Sequence, residues 1–406
     1  MQVKNCIMVC DSAEHNGGIS AVLLQQARGL REAGIRVFVF AAFGPADPAL
    51  LLQTDGVVCM FDTPMPRNRL TEVWNPASAP ALKQFLKDFS AADTLVHVHS
   101  LSLGLSPSIA LALRAEKFTY VITAHDAGWA CPTGYFYHFD KAATCSYVPL
   151  STACLKSRCD KRSYLHKVYK VAKMVVLDYV SHLKRDAAAI IVPSVMLRQR
   201  LRASVPAGTP VITLLNPVNA VDLGPRDQHG EGFLFVGRIW EEKGILEFLQ
   251  TLAGRFPLTV VGDGPRRAEL AQRYPQVVFK GWLPPDAVAQ AMREARAVVM
   301  PSIHLEAFGL VVAEALALGV PVVVSDRAGA ASLVEAEVNG FVVDMAHPEQ
   351  LVASCEALMD ERRASIMSRR AYLGYWRSPM STPVYVAGLL AIYRSIGNAS
   401  GEGSTL

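Results

Sequence analysis

Short apolar runs alternate with helically spaced segments along the whole chain. Residues 3–10 (VKNCIMVC) read as a strand buried on both faces, because a near-continuous apolar run leaves no side for water. Gly17 and Gly18 then open a helical stretch, ISAVLLQQARGLREAG (19–34), with Gly34 placed to close it. Further strands are predicted at 36–43 (RVFVFAAF), 94–100 (TLVHVHS) and 120–126 (YVITAHD). The second half repeats the scheme, with strands at 233–237, 258–262, 297–301 and 320–325. Between them lie the helical patterns KGILEFLQTLAG, PRRAELAQRY and GLVVAEALALG.

Strand–helix–strand alternation predicts an α/β fold, a parallel sheet covered by helices on both faces. Here it occurs twice, so two Rossmann-like domains are expected. The Pro-, Gly- and Asp-rich stretch 214–232 marks the boundary. The predicted organisation is an N-terminal domain over 1–215 with a cysteine-containing insertion at 127–165, and a C-terminal domain over 216–375. A terminal helix within 376–406 is expected to pack back on the N-terminal domain, and the last residues, NASGEGSTL, are expected to be disordered. Ligands of such sheets bind beyond the carboxyl ends of the strands. Two facing domains would therefore place the site in the cleft between them.

Composition narrows the classes. Of 406 residues, 51% are hydrophobic and 19% charged, which excludes a disordered chain and supplies two cores. A net charge of +4 is low for a nucleic-acid binder, so no nucleic-acid partner is expected. The amino end lacks a signal-peptide pattern, and the longest apolar run, 309–324, is interrupted by Glu314 and Pro321. A cytoplasmic protein with free or metal-bound thiols is expected.

Candidate chemistry falls at predicted strand ends. Arg238 follows FLFVG, and Lys243 lies five residues on. Together they offer a fork and a point charge to an anion, although an isolated R-x4-K pair is equally two solvated charges. Glu306 follows the strand at 297–301, and Glu314 sits inside the next helix among Val311, Val312, Ala313, Ala315 and Leu316. A carboxylate so placed needs donors, and ribose hydroxyls are donors. Phe308, Gly309 and Leu310 form the amino end of that helix, where bare N–H groups suit a phosphate. Gly262 lies in the turn of VVGDGPRRAEL, and His125–Asp126 end a strand of the first half.

In this order the motifs resemble glycosyltransferase family 4, the retaining nucleotide-sugar transferases of the GT-B fold, and in particular bacterial polysaccharide-biosynthesis transferases. The resemblance covers almost the whole chain and is strongest over 233–344. It rests on G-R-x4-K, the V-G-D-G-P turn, the G-W-L-P segment and the E-x7-E pair within 301–319. It implies that Arg238 and Lys243 hold the donor diphosphate as leaving group, that Glu314 binds the ribose and that Glu306 faces the sugar. Phe308, Gly309 and Leu310 would give backbone contacts, Gly281, Trp282 and Leu283 would cradle the base, and Gly17, Gly18 and Gly262 would lie near the phosphates. His125 would reach the sugar from the facing domain. His125, Glu306, Arg238 and Lys243 are thus the expected catalytic set.

No D-x-D occurs, so transfer without a catalytic metal is expected, from a UDP- or GDP-sugar. In the loop SDRAGAASLVE, Ser332 stands where the family often has a carboxylate. Two rivals stay open: a nucleotide-sugar epimerase of the same architecture, and a binding module that has lost catalysis.

Cys131, Cys145, Cys154 and Cys159 lie in one stretch with spacing C-x13-C-x8-C-x4-C. Four thiolates suit a structural zinc, and the alternative is four thiols packed as small hydrophobes. Between Lys156 and Arg202, twelve Lys and Arg face three Asp, a net +9 that leaves −5 for the rest of the chain. That concentration predicts peripheral attachment to an anionic membrane surface, with a glycan or polyprenyl-linked acceptor for cell-surface polysaccharide.

Overall fold

Two parallel sheets organise the chain. The structure, a computed structural model, describes residues 2–14, 17–63, 68–101, 103–226 and 229–402. It divides into two units, Met1–Pro217 with Thr382–Leu406, and Val218–Ser381.

In the first unit the strands are β1 (Asn5–Ser12), β2 (Arg36–Phe43), β3 (Gly56–Phe61), β4 (Thr94–Val98) and β5 (Tyr120–Thr123). A small antiparallel pair follows, β6 (Tyr137–His138) and β7 (Ala143–Thr144), and then β8 (Ala189–Val192) and β9 (Val211–Thr213). The seven-stranded sheet runs β3-β2-β1-β4-β5-β8-β9, every pair parallel. All but the last residue of β1 are buried, as strands covered on both faces must be. The first strand lies two residues later than its apolar run suggests. Pairing with β2 sets its ends, Asn5 opposite Arg36 and Ser12 opposite Phe43.

The helix Gly18–Glu32 turns Val22, Leu23, Gln26, Ala27 and Leu30 inward at helical spacing. The last helix, Thr382–Glu402, returns to the same core. Its Tyr385, Val386, Leu389, Ile392 and Tyr393 pack with Cys6, Met8, Val37 and Leu30. Gly29 permits the two helices to meet, since a Cβ there would lie 2.5 Å from Val386 Cγ2. The backbone of this last helix runs on to Glu402. Residues 403–406 lie outside the described residues.

The second unit holds β10 (Phe233–Val236), β11 (Leu258–Val261), β12 (Val278–Gly281), β13 (Ala297–Met300), β14 (Val322–Ser325) and β15 (Gly340–Val343). Their order is β12-β11-β10-β13-β14-β15, again all parallel. The order of connection reverses between β10 and β13, and that reversal opens a crevice beyond their carboxyl ends. Gly262, just past β11, has φ 134°, and a Cβ there would sit 1.9 Å from Gly237 O. Its lack of a side chain is therefore required by the loop after β10, whatever binds nearby.

Leu389→Ala should destabilise the first unit by about 3 kcal/mol, through lost burial and a residual cavity. Chemical denaturation of the full chain, followed by a probe in that unit, measures it.

Candidate functional site

The two loops beside the reversal in the second sheet carry the predicted charged set. After β10 come Arg238 and the short turn Glu241–Lys243; after β13 come His304, Glu306 and the helix Leu310–Ala317. The second loop is pinned from below by its neighbour. Glu306 N–H donates to Arg327 O at 2.9 Å, Gly329 N–H to Glu306 O at 2.9 Å and Ala330 N–H to Phe308 O at 2.7 Å. Arg327 also donates from Nη1 to Ile303 O at 2.9 Å. Glu306 thus stands on a braced segment.

Its carboxylate accepts from Lys243 Nζ, and His304 Nε2 lies 3.7 Å away. His304 is held in turn by Nδ1, which donates to Glu242 O at 2.7 Å. Burial pulls Glu306 upward, but Lys243, His304 and Arg238 outweigh it, and the carboxyl is held below its ordinary range. Glu306 is ionised and already carries the charge of Lys243. Arg238 is exposed, and its guanidinium makes no hydrogen bond or ion pair among the described residues.

Glu314, one helix turn beyond the amino end, differs. Burial raises its carboxyl, and no hydrogen bond or ion pair to it exists among the described residues. Phe308 is buried, and Gly309, with φ 107°, precedes the first helical turn, where Val312 N–H donates to Gly309 O at 3.1 Å and the N–H groups of Leu310 and Val311 have no intrahelical acceptor. Trp282 is 72% exposed beyond β12, with Leu283 half-buried beside it. Gly281 O accepts from Gly262 N–H at 2.7 Å, which joins these two loops. Ser332 Oγ donates to Gly329 O at 2.9 Å and serves its own turn.

In the first unit, His125 ends a stack of rings. His97 and His99 project from one edge of β4 with centroids 4.2 Å apart, and His99 and His125 follow at 5.2 Å. Tyr385 O–H donates to Gln26 Oε1 at 2.9 Å, which orients the amide so that Gln26 Nε2 donates to His97 Nδ1 at 2.9 Å. Tyr393 O–H reaches the same nitrogen at 2.7 Å. His97 therefore carries its proton on Nε2 and donates to Thr123 Oγ1 at 2.6 Å. His99 Nδ1 lies 2.9 Å from His125 Nε2, while His99 Nε2 is buried without a partner among the described residues. An orphaned N–H is costlier than an orphaned lone pair, so His99 donates from Nδ1 and His125 keeps its proton on Nδ1. Gly17, with φ 127°, caps the helix that begins at Gly18.

His304, His97, His99 and Gln26 were not among the residues expected from sequence. Two signals existed: His304 sits two residues before Glu306, and His97 and His99 alternate along one strand and so share a face.

Cys131, Cys145, Cys154 and Cys159 are all buried and reduced, and all four line one small cavity. Among the described residues, no three His, Cys, Asp or Glu side chains are drawn together tightly enough to hold an ion as they stand.

The match to known families follows this geometry. Residues 16–221 match the model of Glycosyltransferase Family 4, and 230–361 match Glycosyl transferases group 1. The chain belongs to glycosyltransferase family 4, and its two Rossmann-like units are those of the GT-B fold. A GDP-mannose-dependent alpha-mannosyltransferase of Corynebacterium glutamicum is 35% identical over 143 residues, 34% of each chain. The match thus spans about a third of that relative's length. A phosphatidyl-myo-inositol mannosyltransferase of Mycolicibacterium smegmatis is 26% identical over 97% of this chain and 94% of its own. Anabaena HepE, solved in complex with UDP, superposes with TM-score 0.67 at 18% identity, covering 96% of this chain and 100% of its own.

The buried histidines predict a pH response. Burial lowers His97 to about 3 and His125 to about 4 from the ordinary 6.5, and lowers His99 as well. Below pH 6.5 the unfolded chain takes up protons that the folded chain refuses, so stability falls from there down to about pH 3. Thermal melts across that range should show the decline, and His97→Gln should flatten it. An unchanged slope in that variant would contradict the assignment.

Proposed function

We propose that the chain transfers a sugar from a UDP- or GDP-sugar to a glycan or lipid-linked saccharide, with retention at the anomeric carbon and without a catalytic metal. The observation that carries this is the contrast between two carboxylates on one loop and helix. Glu306 is ionised and matched by Lys243, whereas Glu314 is half-buried, its carboxyl raised by desolvation, and lacks a donor among the described residues. A ribose brings two hydroxyl donors to such a group. Arg238 and Lys243 are the cations for the departing diphosphate, and the N–H groups of Leu310 and Val311 at the amino end of the following helix add to them. The absence of D-x-D supports a mechanism in which these cations do the work of a metal.

Trp282 and Leu283 are assigned to the base, Glu306 and His125 to the donor sugar. The GDP-mannose and UDP of the relatives support either base as donor. A screen of UDP- and GDP-sugars, reading nucleotide release and product together, tests the proposal. Release of neither nucleotide with any acceptor would favour a binding module; interconversion of the sugar without transfer would favour an epimerase.

The membrane reading changes in its details. Lys167 and Lys184 are buried, Lys184 pairs with Asp178 at 2.6 Å and Lys170 with Asp160 at 2.9 Å, so part of the +9 never faces solvent. The helix Tyr164–Val175 instead exposes Leu165 (80%) at its start, just after the exposed Arg158 and Arg162, and the turn beyond its far end exposes Tyr179 (66%) and Val180 (56%). No helix among the described residues is long and apolar enough to cross a membrane. We assign this surface to peripheral attachment at the cytoplasmic face, beside a polyprenyl-linked acceptor. The phosphatidyl-myo-inositol in the name of the mycobacterial relative supports a lipid-borne one.

Arg238→Ala and Lys243→Ala should each lower kcat about a hundredfold, ~3 kcal/mol, without loss of fold. Steady-state kinetics with EDTA present, alongside circular dichroism, measures both the rate and the metal independence. Co-sedimentation with anionic vesicles should be strong at low salt. It should persist in part at high salt, where the Debye length falls to ~3 Å and only the exposed apolar side chains still hold. Neutral and anionic vesicles binding equally weakly at low salt would leave a soluble acceptor.

A further inference from the structure

Between β5 and β8 the chain leaves the first sheet, and the excursion 127–165 contains only short elements: a three-residue turn, the β6–β7 pair and the helix Thr152–Lys156. So little regular structure supplies no core of its own, and small segments of this kind need a staple. Cys131, Cys145, Cys154 and Cys159 come from four separate parts of it, and each is less than a tenth exposed. They converge on one cavity of about 10 Å³, room for a single small guest.

Each sulfur already has a donor or hydroxyl directed at it. Thr133 Oγ1 lies 3.3 Å from Cys131 Sγ, and Ser157 Oγ 3.6 Å from Cys159 Sγ. The N–H groups of Tyr147 and Leu150 donate to Cys145 and Cys154. Burial is the larger effect and raises the Cys145 and Cys154 thiols, and these hydrogen bonds oppose it only in part, so it is an arriving cation that would displace the thiol protons. Lys167, 1% exposed, lines the same cavity. Its ammonium donates to Cys154 O, to Ser157 O at 2.6 Å and to Ser157 Oγ at 2.7 Å, so its protons are taken and its charge remains. A buried cation without a carboxylate partner is costly unless negative charge stands near it. A dication on four thiolates carries a net charge of about −2 and meets that need.

We propose that Cys131, Cys145, Cys154 and Cys159 hold one structural Zn²⁺ that staples the 127–165 excursion, with Lys167 offsetting the charge of the centre. Tetrahedral ligation needs each sulfur ~2.3 Å from the ion, so the four draw inward on binding and release their thiol protons. Zinc supports the fold here and takes no part in sugar transfer.

The full chain, expressed in zinc-supplemented medium and purified without chelator, should contain about one zinc per chain by elemental analysis. Titration with a mercurial should release it to a metallochromic dye. Replacing zinc with Co²⁺ should give the intense visible bands of a tetrahedral cobalt thiolate. Cys159→Ser should lose most of the metal and melt lower; should that variant fail to fold, the metal content and cobalt spectrum of the wild type still decide. Zinc well below one per chain with four titratable thiols would overturn the proposal in favour of thiols packed as apolar groups. Two disulfides, or iron in place of zinc, would overturn it equally. These readouts are independent of whether any sugar is transferred.

Discussion

Glu306 is half-buried yet ionised, and such a carboxylate calls for positive charge within a few ångströms. Much of the second unit is arranged to supply it. Lys243 arrives on the turn after β10, while His304 shares the loop after β13, and the two meet because β10 and β13 are neighbours in the sheet. The strand 322–325 and the turn after it hold that loop in place through Arg327 and Ala330. A substrate with negative charge would compete with Glu306 for Lys243, so the pair is both a structural tie and a poised site.

The first unit solves a related problem without charge. Burial lowers His97, His99 and His125, and hydrogen bonds run from Tyr385 through Gln26 to His97 and Thr123. Tyr385 and Tyr393 belong to the last helix, far along the chain from the strands they serve. That helix therefore does more than cover apolar surface: it sets the tautomer of His97, whose ring stacks on His99, and His99 in turn bonds to His125. Asp11, at the end of β1, ties the neighbouring loop by accepting from the N–H groups of Gly104 and Leu105 at 3.0 and 3.1 Å. The ends of β1, β4 and β5 are thereby coupled.

Local pattern is sufficient to read much of this from the amino acids. Buried parallel strands are near-continuous apolar runs, so β1, β2, β4, β5, β10, β11, β13 and β14 stand out, and with them the doubled α/β architecture. The charged candidates Arg238, Lys243, Glu306 and Glu314 were legible because strand ends are where this architecture presents side chains, and because a carboxylate in an apolar helix is conspicuous. The strands β3, β9, β12 and β15, all at sheet edges, were not, and neither was β8, a buried interior strand of only four residues.

Tertiary structure alone decided how those residues are paired. Nothing in the spacing of Arg238 and Lys243 says that only Lys243 meets Glu306, or that His304 joins them, since those contacts follow from strand order. At Gly262, for the same reason, two backbone loops nearly touch, a structural demand for glycine that the spacing of its turn does not show. Charge counted along 156–202 overstated what reaches the surface, because burial of Lys167 and Lys184 depends on folding of distant segments against them. Sequence determined which side chains are available and at which strand ends. The sheet order, which brings residues dozens of positions apart within hydrogen-bond reach, determined which of them act together.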